Sequence, residues 1–567
     1  MYAFFCILHT KNNKTIRCNL KLKLADRKEE KSVSGKSFVK GAVVLSMAGI
    51  AAKCLGALYR IPFARIASDE CGAIYGMVYP LYNLLLALST AGIPLAISKL
   101  VAEYEEQGKS GMSLRILKLS LLVLAAIGIG VAVVIFVNAE WIAVNILPNE
   151  PRAALSLKAI APAMIFTCIQ AVFRGYFQGL QEMVPTALSQ ITEQFVRVAV
   201  IFAALFLLMP YGDEITAAGA TAGAAVGSCA ALVLMLTLFV LYRRKHKNTM
   251  PMDNLTESIS NSQVLQKVLA LAIPISIGSL VLPVMQSIDS ILVVARLEAS
   301  GMLRDPAMTE FNYLSMCVQP IINLPFMITT AVAASLVPNI SEALAMKNTE
   351  KVRETFANAM QLAMLIVLPA TVGLMTLAEP IMELLYDKPG AGVAMFWSAA
   401  VVLVVGIYQI SAGTLQGMGK AMIPMYSLLL GAGIKIVLTY TLTAMPMFGV
   451  RGAALGSVIG FAAAAGNNVY QVSRRTGWGW LSTKYHIVKP VISVAVMAVL
   501  VLASYAGIYM LLDSNGMATL VSIAIGGCAY FAVLLAIGGV SLEIIRKVPK
   551  VGNKLAALLL KLKLVRE

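Results

Sequence analysis

The chain has 567 residues, 59% of them hydrophobic and only 13% charged, whereas a soluble protein carries roughly a quarter charged residues. That balance excludes a soluble globular enzyme and leaves room for about a dozen membrane spans of some 20 apolar residues each. The 46 Lys and Arg against 29 Asp and Glu give a net charge of +17, which in a membrane protein reports topology rather than a nucleic-acid partner.

The apolar runs are long and continuous, as in Leu119–Val137 and Val491–Leu512, so the fold class is an all-α polytopic membrane protein and not a period-2 β-barrel. In chain order, residues 1–37 read as a basic cytoplasmic extension: a short apolar stretch precedes ten basic residues from Lys11 to Lys40, the reverse of a signal peptide. Fourteen spans are then predicted, at about 40–61, 73–101, 116–138, 154–176, 184–209, 216–242, 267–296, 311–341, 355–378, 393–415, 421–444, 450–471, 488–511 and 517–540. An N-lobe (38–242, spans 1–6) and a C-lobe (267–473, spans 7–12) flank a cytoplasmic linker at 243–266. Two appended spans (488–540) lead to a tail, 541–567, whose alternating Leu and Lys residues suggest an interfacial amphipathic helix.

With both termini cytoplasmic, only Arg60, Arg65, Arg152, Lys158, Arg296, Arg304, Lys388 and Arg451 fall on the outer side, so the positive-inside rule supports this orientation. The lobes also repeat each other. Tyr79-Pro80-Leu81-Tyr82-Asn83 recurs as Gln319-Pro320-Ile321-Ile322-Asn323, and Ala64-Arg65 as Ala295-Arg296. Gln178-Gly179 with Pro185 recurs as Gln416-Gly417 with Pro424, and Gly219-Ala220-x-x-Gly223 as Gly452-Ala453-x-x-Gly456, all at offsets of 231 to 240. An even number of spans per copy keeps both copies in one orientation, with a pseudo-two-fold axis along the membrane normal and a cavity between the lobes, as alternating access requires.

The eight cysteines (Cys6, Cys18, Cys54, Cys71, Cys168, Cys229, Cys317, Cys528) lack CxxC or metal-ligand spacing, so neither a disulfide framework nor a metal site is expected. Cys71 reads as part of the loop after span 1, open to thiol reagents from outside. His9, His246 and His486 all lie in polar segments, leaving no intramembrane histidine as base or ligand. Two stretches ending like a P-loop, at Lys109-Ser110 and Lys36-Ser37, carry Glu103 and Glu30 where the first glycine belongs. No cofactor is expected, and any work comes from a gradient.

An unpaired charge inside a span costs about 2.5–3.5 kcal/mol or more, so each is a functional candidate. Lys53 and Arg60, two turns apart, share a face of span 1, with Arg65 near its outer end. Span 5 has a polar face of Gln190, Glu193, Gln194 and Arg197, in which Glu193 and Arg197 can pair at i,i+4. At the repeat offset Arg197 maps onto Lys435 in span 11, and two matched cations suggest one shared anionic ligand. Asp289 in span 7, with Met285, Gln286, Leu292 and Val293 one turn away, has no cation on its own helix. Its counter-charge comes from another helix, or from Na⁺ or a proton acting as a coupling ion. Competing structural readings are snorkelling for Arg60, Arg65 and Arg296, a purely structural Glu193–Arg197 pair, and close helix packing for the GxxxG glycines.

Lys40-Gly41, Leu55-Gly56 with Tyr59-Arg60 and Ala64-Arg65, Gly92-Ile93-Pro94 running to Val101, and Arg174-Gly175-Tyr176-Phe177-Gln178-Gly179 with Glu193-Gln194 carry a family resemblance. From about residue 36 to 545 the chain resembles the polysaccharide-transporter branch of the multidrug/oligosaccharidyl-lipid/polysaccharide exporter superfamily, the branch of stage V sporulation protein B and Gram-positive lipid II flippases. The resemblance implies flipping of an undecaprenyl-pyrophosphate-linked saccharide across the bacterial cytoplasmic membrane, with membrane lipids and cell-wall synthesis enzymes as partners. It places the family's three span-1 cations on Lys53, Arg60 and Arg65, with lysine at 53 where arginine is usual. A cation-coupled multidrug exporter and a non-transporting scaffold for envelope synthesis remain the alternatives. Cationic span 1 disfavours the first, and the lack of an extramembrane domain disfavours the second.

Overall fold

The computed structural model describes residues 47–49, 51–52, 54–90, 92–245, 260–479 and 484–539. The extension 1–37, the tail 541–567, Lys53, His9, His246 and the middle of the linker lie outside them. Within the described residues every regular element is a helix.

In the N-lobe α1 (Arg60–Ile66) leads into α2 (Asp69–Thr90), α3 (Ile93–Glu106), α4 (Ser110–Val137), the short α5 (Ala139–Asn145), α6 (Ala153–Gly179), α7 (Met183–Leu208) and α8 (Asp213–Lys245). The C-lobe comprises α9 (Asn261–Ala299), α10 (Arg304–Asn312), a π-helical segment (Tyr313–Val318), α11 (Gln319–Ala345), α12 (Thr349–Thr376), the short α13 (Ala378–Tyr386), α14 (Ala391–Gly417), α15 (Met422–Leu442) and α16 (Val450–Thr476). The appended pair is α17 (Lys484–Leu512) and α18 (Asn515–Ala536). Eleven stretches of the described residues are long and apolar enough to cross a bilayer. Helices α9 and α16, with 39 and 27 residues, also have the length at 1.5 Å per residue.

Span 2 corresponds to α2 and α3, which together form one apolar stretch, Asp69–Glu106, long enough to cross a bilayer; Pro94 lies in the first turn of α3, where a missing N–H costs nothing. Cys71, expected in a loop, instead lies in the first turn of α2 and is buried.

The sequence repeat is a repeat of backbone. Helices α4, α5, α6 and α7 begin 238 or 239 residues before α12, α13, α14 and α15. Left-handed residues at helix ends recur at nearly the same offset: Gly108 and Lys347, Asn149 and Asp387, Gln181 and Gly419, Gly212 and Gly449. Packing repeats as well. No side chain fits at Gly175 and Gly179 of α6 against Pro94, Ser98 and Val101 of α3; Gly413 and Gly417 of α14 are pressed in the same way onto Ala333, Val337 and Ile340 of α11. The paired GxxxG glycines do what small residues do in membranes. Gly219, Gly223 and Gly227 bring α8 onto α7 beside Arg197, and Gly452, Gly456 and Gly460 bring α16 onto α15 beside Lys435.

Candidate functional site: a charged cavity between the lobes

A cavity of about 700 Å³ lies between the lobes. Both copies of the repeated proline segment line it, through Tyr79, Pro80 and Asn83 of α2 and Gln319, Pro320 and Asn323 of α11. Pro80 removes a hydrogen-bond donor inside α2, and the π-helical segment widens the turn just before Pro320. Bends of this kind gather at functional sites in membrane helices.

On the N-lobe wall, Glu193 is held between two arginines. Arg174 Nη2 donates to its Oε2 at 2.8 Å and Arg197 Nη2 to its Oε1 at 2.7 Å. Arg197 Nη1 also donates to the Tyr79 hydroxyl at 2.9 Å, and Arg174 Nε to Ser189 Oγ at 3.0 Å. Arg174 and Glu193 line the cavity, whereas Arg197 stands behind them with its side chain only 6% exposed. One carboxylate between two guanidinium groups leaves this cluster one positive charge in excess.

Arg60 also lines the cavity, its guanidinium 5.6 Å from the centre of the Tyr79 ring and Nη1 3.4 Å from the Ser315 carbonyl of the π-helical segment. Tyr79 stacks on Tyr75, whose hydroxyl is 2.7 Å from that of Tyr59. On the opposite wall, Lys435 Nζ donates to Asp289 Oδ2 at 2.8 Å and to the Met285 carbonyl at 2.7 Å.

Arg60, Glu193, Lys435 and Asp289 therefore converge on the cavity, with Arg197 one layer behind. Arg65 does not: it is exposed on α1 and absent from the lining, because that helix ends at Ile66 and turns its last basic residue outward. Arg296 is half-buried and also absent from the lining, its guanidinium 4.0 Å from the Tyr440 ring centre. Arg174 is a site residue that the search for charges inside spans passed over. The signal was a lone arginine close to the end of an apolar segment that reads as its terminus, yet α6 continues to Gly179. Seven carboxamides complete the polar lining: Asn83, Gln190, Gln194, Gln286, Gln319, Asn323 and Gln409.

At the α1–α2 end the lobes are tied together. Lys388 pairs with Asp69, which also accepts from Asn312 Nδ2 at 2.8 Å. Arg304 reaches across to Glu150 at 2.8 Å while holding Glu298 at 2.7 Å. Arg152 bridges Glu150 and Glu70. Burial raises the pKa of Glu150, but hydrogen bonds and charge from Arg152 and Arg304 outweigh it and hold the carboxyl below its ordinary value. Gly72 and Gly76 of α2 close the seam, packed against Asn312 and Ser315 with no room for a side chain.

Two lobes of matched helices around a polar, net-positive cavity are the architecture of a membrane transporter, and comparison with known proteins places the chain in the multidrug/oligosaccharidyl-lipid/polysaccharide superfamily. The chain belongs to the polysaccharide biosynthesis protein family, whose pattern matches residues 38–344; the MatE pattern matches 316–441. It is 31% identical over 525 residues to the uncharacterized membrane protein YabM of Bacillus subtilis, covering 91% of this chain and 95% of that one. It is 31% identical to stage V sporulation protein B of the same organism (75% and 81% covered), and 26% identical to its lipid II flippase MurJ (87% and 94%). Among solved structures, lipid II flippase MurJ in an inward closed conformation superposes with a TM-score of 0.63 at 16% identity (87% and 98% covered). An inward-facing multidrug resistance MATE family transporter of the superfamily gives 0.62 at 16% (77% and 98%). Where these names give an activity it is flipping, for MurJ, or multidrug resistance transport, for the MATE protein, and not enzymatic catalysis.

Proposed function

We propose that the chain is an alternating-access flippase that carries an undecaprenyl-pyrophosphate-linked saccharide, lipid II or a related polysaccharide unit, from the cytoplasmic to the outer leaflet. The observation that carries this reading is the cavity lining. Arg60 and the remaining Nη1 group of Arg174, whose Nε and Nη2 already serve Ser189 and Glu193, offer charged donors suited to a pyrophosphate, and the carboxamides around them can exchange hydrogen bonds with sugar hydroxyls. Arg197 sets the position of Glu193 and thereby of Arg174. Lys53, two helical turns before Arg60 by sequence spacing, is a further candidate cation outside the described residues. A cationic drug would meet like charge in this cavity, which disfavours the multidrug alternative.

The end of the molecule bearing Arg243, Arg244, Lys245, Arg474 and Arg475 faces the cytoplasm by the positive-inside rule, so the Asp69–Lys388 and Glu150–Arg304 pairs shut the outer end. Cell-wall synthesis enzymes are the partners that would supply or consume such a substrate. The test is complementation of a strain depleted of its own lipid II flippase, joined to a flipping assay with purified protein in liposomes. Growth together with flipping supports the reading; protein in the membrane with neither overturns it.

A further inference from the structure

Asp289 lies within a membrane-spanning helix, where an unbalanced carboxylate is strongly disfavoured. Its balance comes from α15. The Lys435 ammonium sits 2.8 Å from Asp289 Oδ2 and 2.7 Å from the Met285 carbonyl, with the lysine side chain 3% exposed and the aspartate 15%. Oδ1 of Asp289 is buried with no hydrogen-bond partner. Among the described residues, Lys435 is the one cation paired with this acid.

A carboxylate oxygen and a main-chain carbonyl, both hard oxygen donors, are the groups an alkali cation would use. Here an ammonium on a four-carbon stem already occupies them. The two lobes reach this result differently. In the N-lobe, Arg197 meets an acid four residues back on its own helix. The position matching Glu193 at the repeat offset is Gly431, pressed against the Gly460 carbonyl with no room for a side chain. The acid for Lys435 therefore has to come from α9.

We propose that Lys435 is a tethered counter-cation, filling the place beside Asp289 that a mobile coupling cation would otherwise take, so that the cycle is not coupled to a Na⁺ gradient. Removing the ammonium while keeping the acid opens that place to Na⁺. The transport clause rests on the reading of the protein as a flippase; the binding clause does not.

The experiment compares thermal unfolding of the purified full-length protein in sodium chloride and in choline chloride of equal strength. Wild type is expected to melt at one temperature in both salts. Lys435→Met should be stabilised by sodium by several degrees, and Lys435→Met/Asp289→Asn should lose that response. Sodium stabilisation of wild type equal to that of Lys435→Met, or a Lys435→Met response no larger than the double variant's, overturns the proposal. If Lys435→Met does not fold, wild-type protein in liposomes decides: flipping unchanged by an imposed Na⁺ gradient supports the proposal, and flipping that follows the gradient overturns it. Failure of complementation would remove the flippase reading and leave the unfolding result standing.

Discussion

Lys435 and Asp289 form a cross-helix pair, 2.8 Å apart between α15 and α9, on the cavity wall facing Arg60 and Arg174. Breaking a buried pair by removing one partner costs about 3–5 kcal/mol, because the other charge is left uncompensated, whereas removing both is often close to neutral. Asp289→Asn alone should therefore lower the melting temperature markedly, and Asp289→Asn/Lys435→Met should recover most of the loss. A double variant no more stable than either single one would show that the charges act independently.

The N-lobe arginines should separate by role. Arg60→Ala and Arg174→Ala each withdraw a cation from the lining, at roughly 1.5–3 kcal/mol for a hydrogen bond to a charged group, and should slow flipping about 10-fold or more with protein levels unchanged. Either Arg174→Ala or Arg197→Ala leaves Glu193 with one partner, but Arg197→Ala should lower thermal stability more, since it empties the more buried site and leaves the Tyr79 hydroxyl without its donor. Rates and melting temperatures measured on the same preparations check the distinction.

Charge exchange tests the outer closure. Asp69→Lys places two cations opposite each other and should favour opening of that end; Asp69→Lys/Lys388→Asp should restore closure. A cysteine at Gln319, in the cavity wall, reports the state through its labelling rate with a membrane-impermeant thiol reagent. With each such pair contributing up to about 1 kcal/mol, the expected acceleration in Asp69→Lys is roughly 5-fold.

The same end should loosen in acid. The Glu150 carboxyl is held below its ordinary 4.5 in the folded protein, so its contribution to closure is complete above that value and falls away as pH drops below it through the folded-state pKa. Taken relative to the same cysteine in Glu150→Gln, which cancels the falling thiolate fraction, labelling at Gln319 should speed up on acidification below about pH 4.5; an unchanged ratio would remove Glu150 from the closure.

For topology, a cysteine replacing Asn138 should react from outside the cell, and one replacing Arg244 only after permeabilisation. Both positions are exposed, unlike native Cys71. Reaction of both from one side would reverse the proposed orientation.

The all-helical membrane class, the duplication and the charged positions were legible in sequence because apolar runs and a fixed offset survive without tertiary information. The short helices α5 and α13, of seven and nine residues, were not, being too brief to carry a period. The π-helical segment leaves no compositional mark. Arg65 entered through the resemblance's three span-1 cations, and only packing shows that α1 buries Phe63 and Ala64 while leaving Arg65 exposed. The partner of Asp289 was narrowed to another helix by elimination, and only packing identified it as the residue already singled out for its match to Arg197. The resemblance to polysaccharide transporters pointed to Arg174 among its motif residues, but its inward aim appears only once α6 is seen to pass its expected end.

The unequal way the two lobes house their buried cations has a mechanical consequence. Arg60, Arg174 and Arg197 all belong to the N-lobe, while the cation of the C-lobe wall is spoken for by Asp289 on that same lobe. On the flippase reading proposed above, an anion in the cavity would be gripped from one side only. As the lobes rock, the cargo would travel with the N-lobe as its carriage, and the C-lobe would slide past it offering amides, hydroxyls and no competing hold.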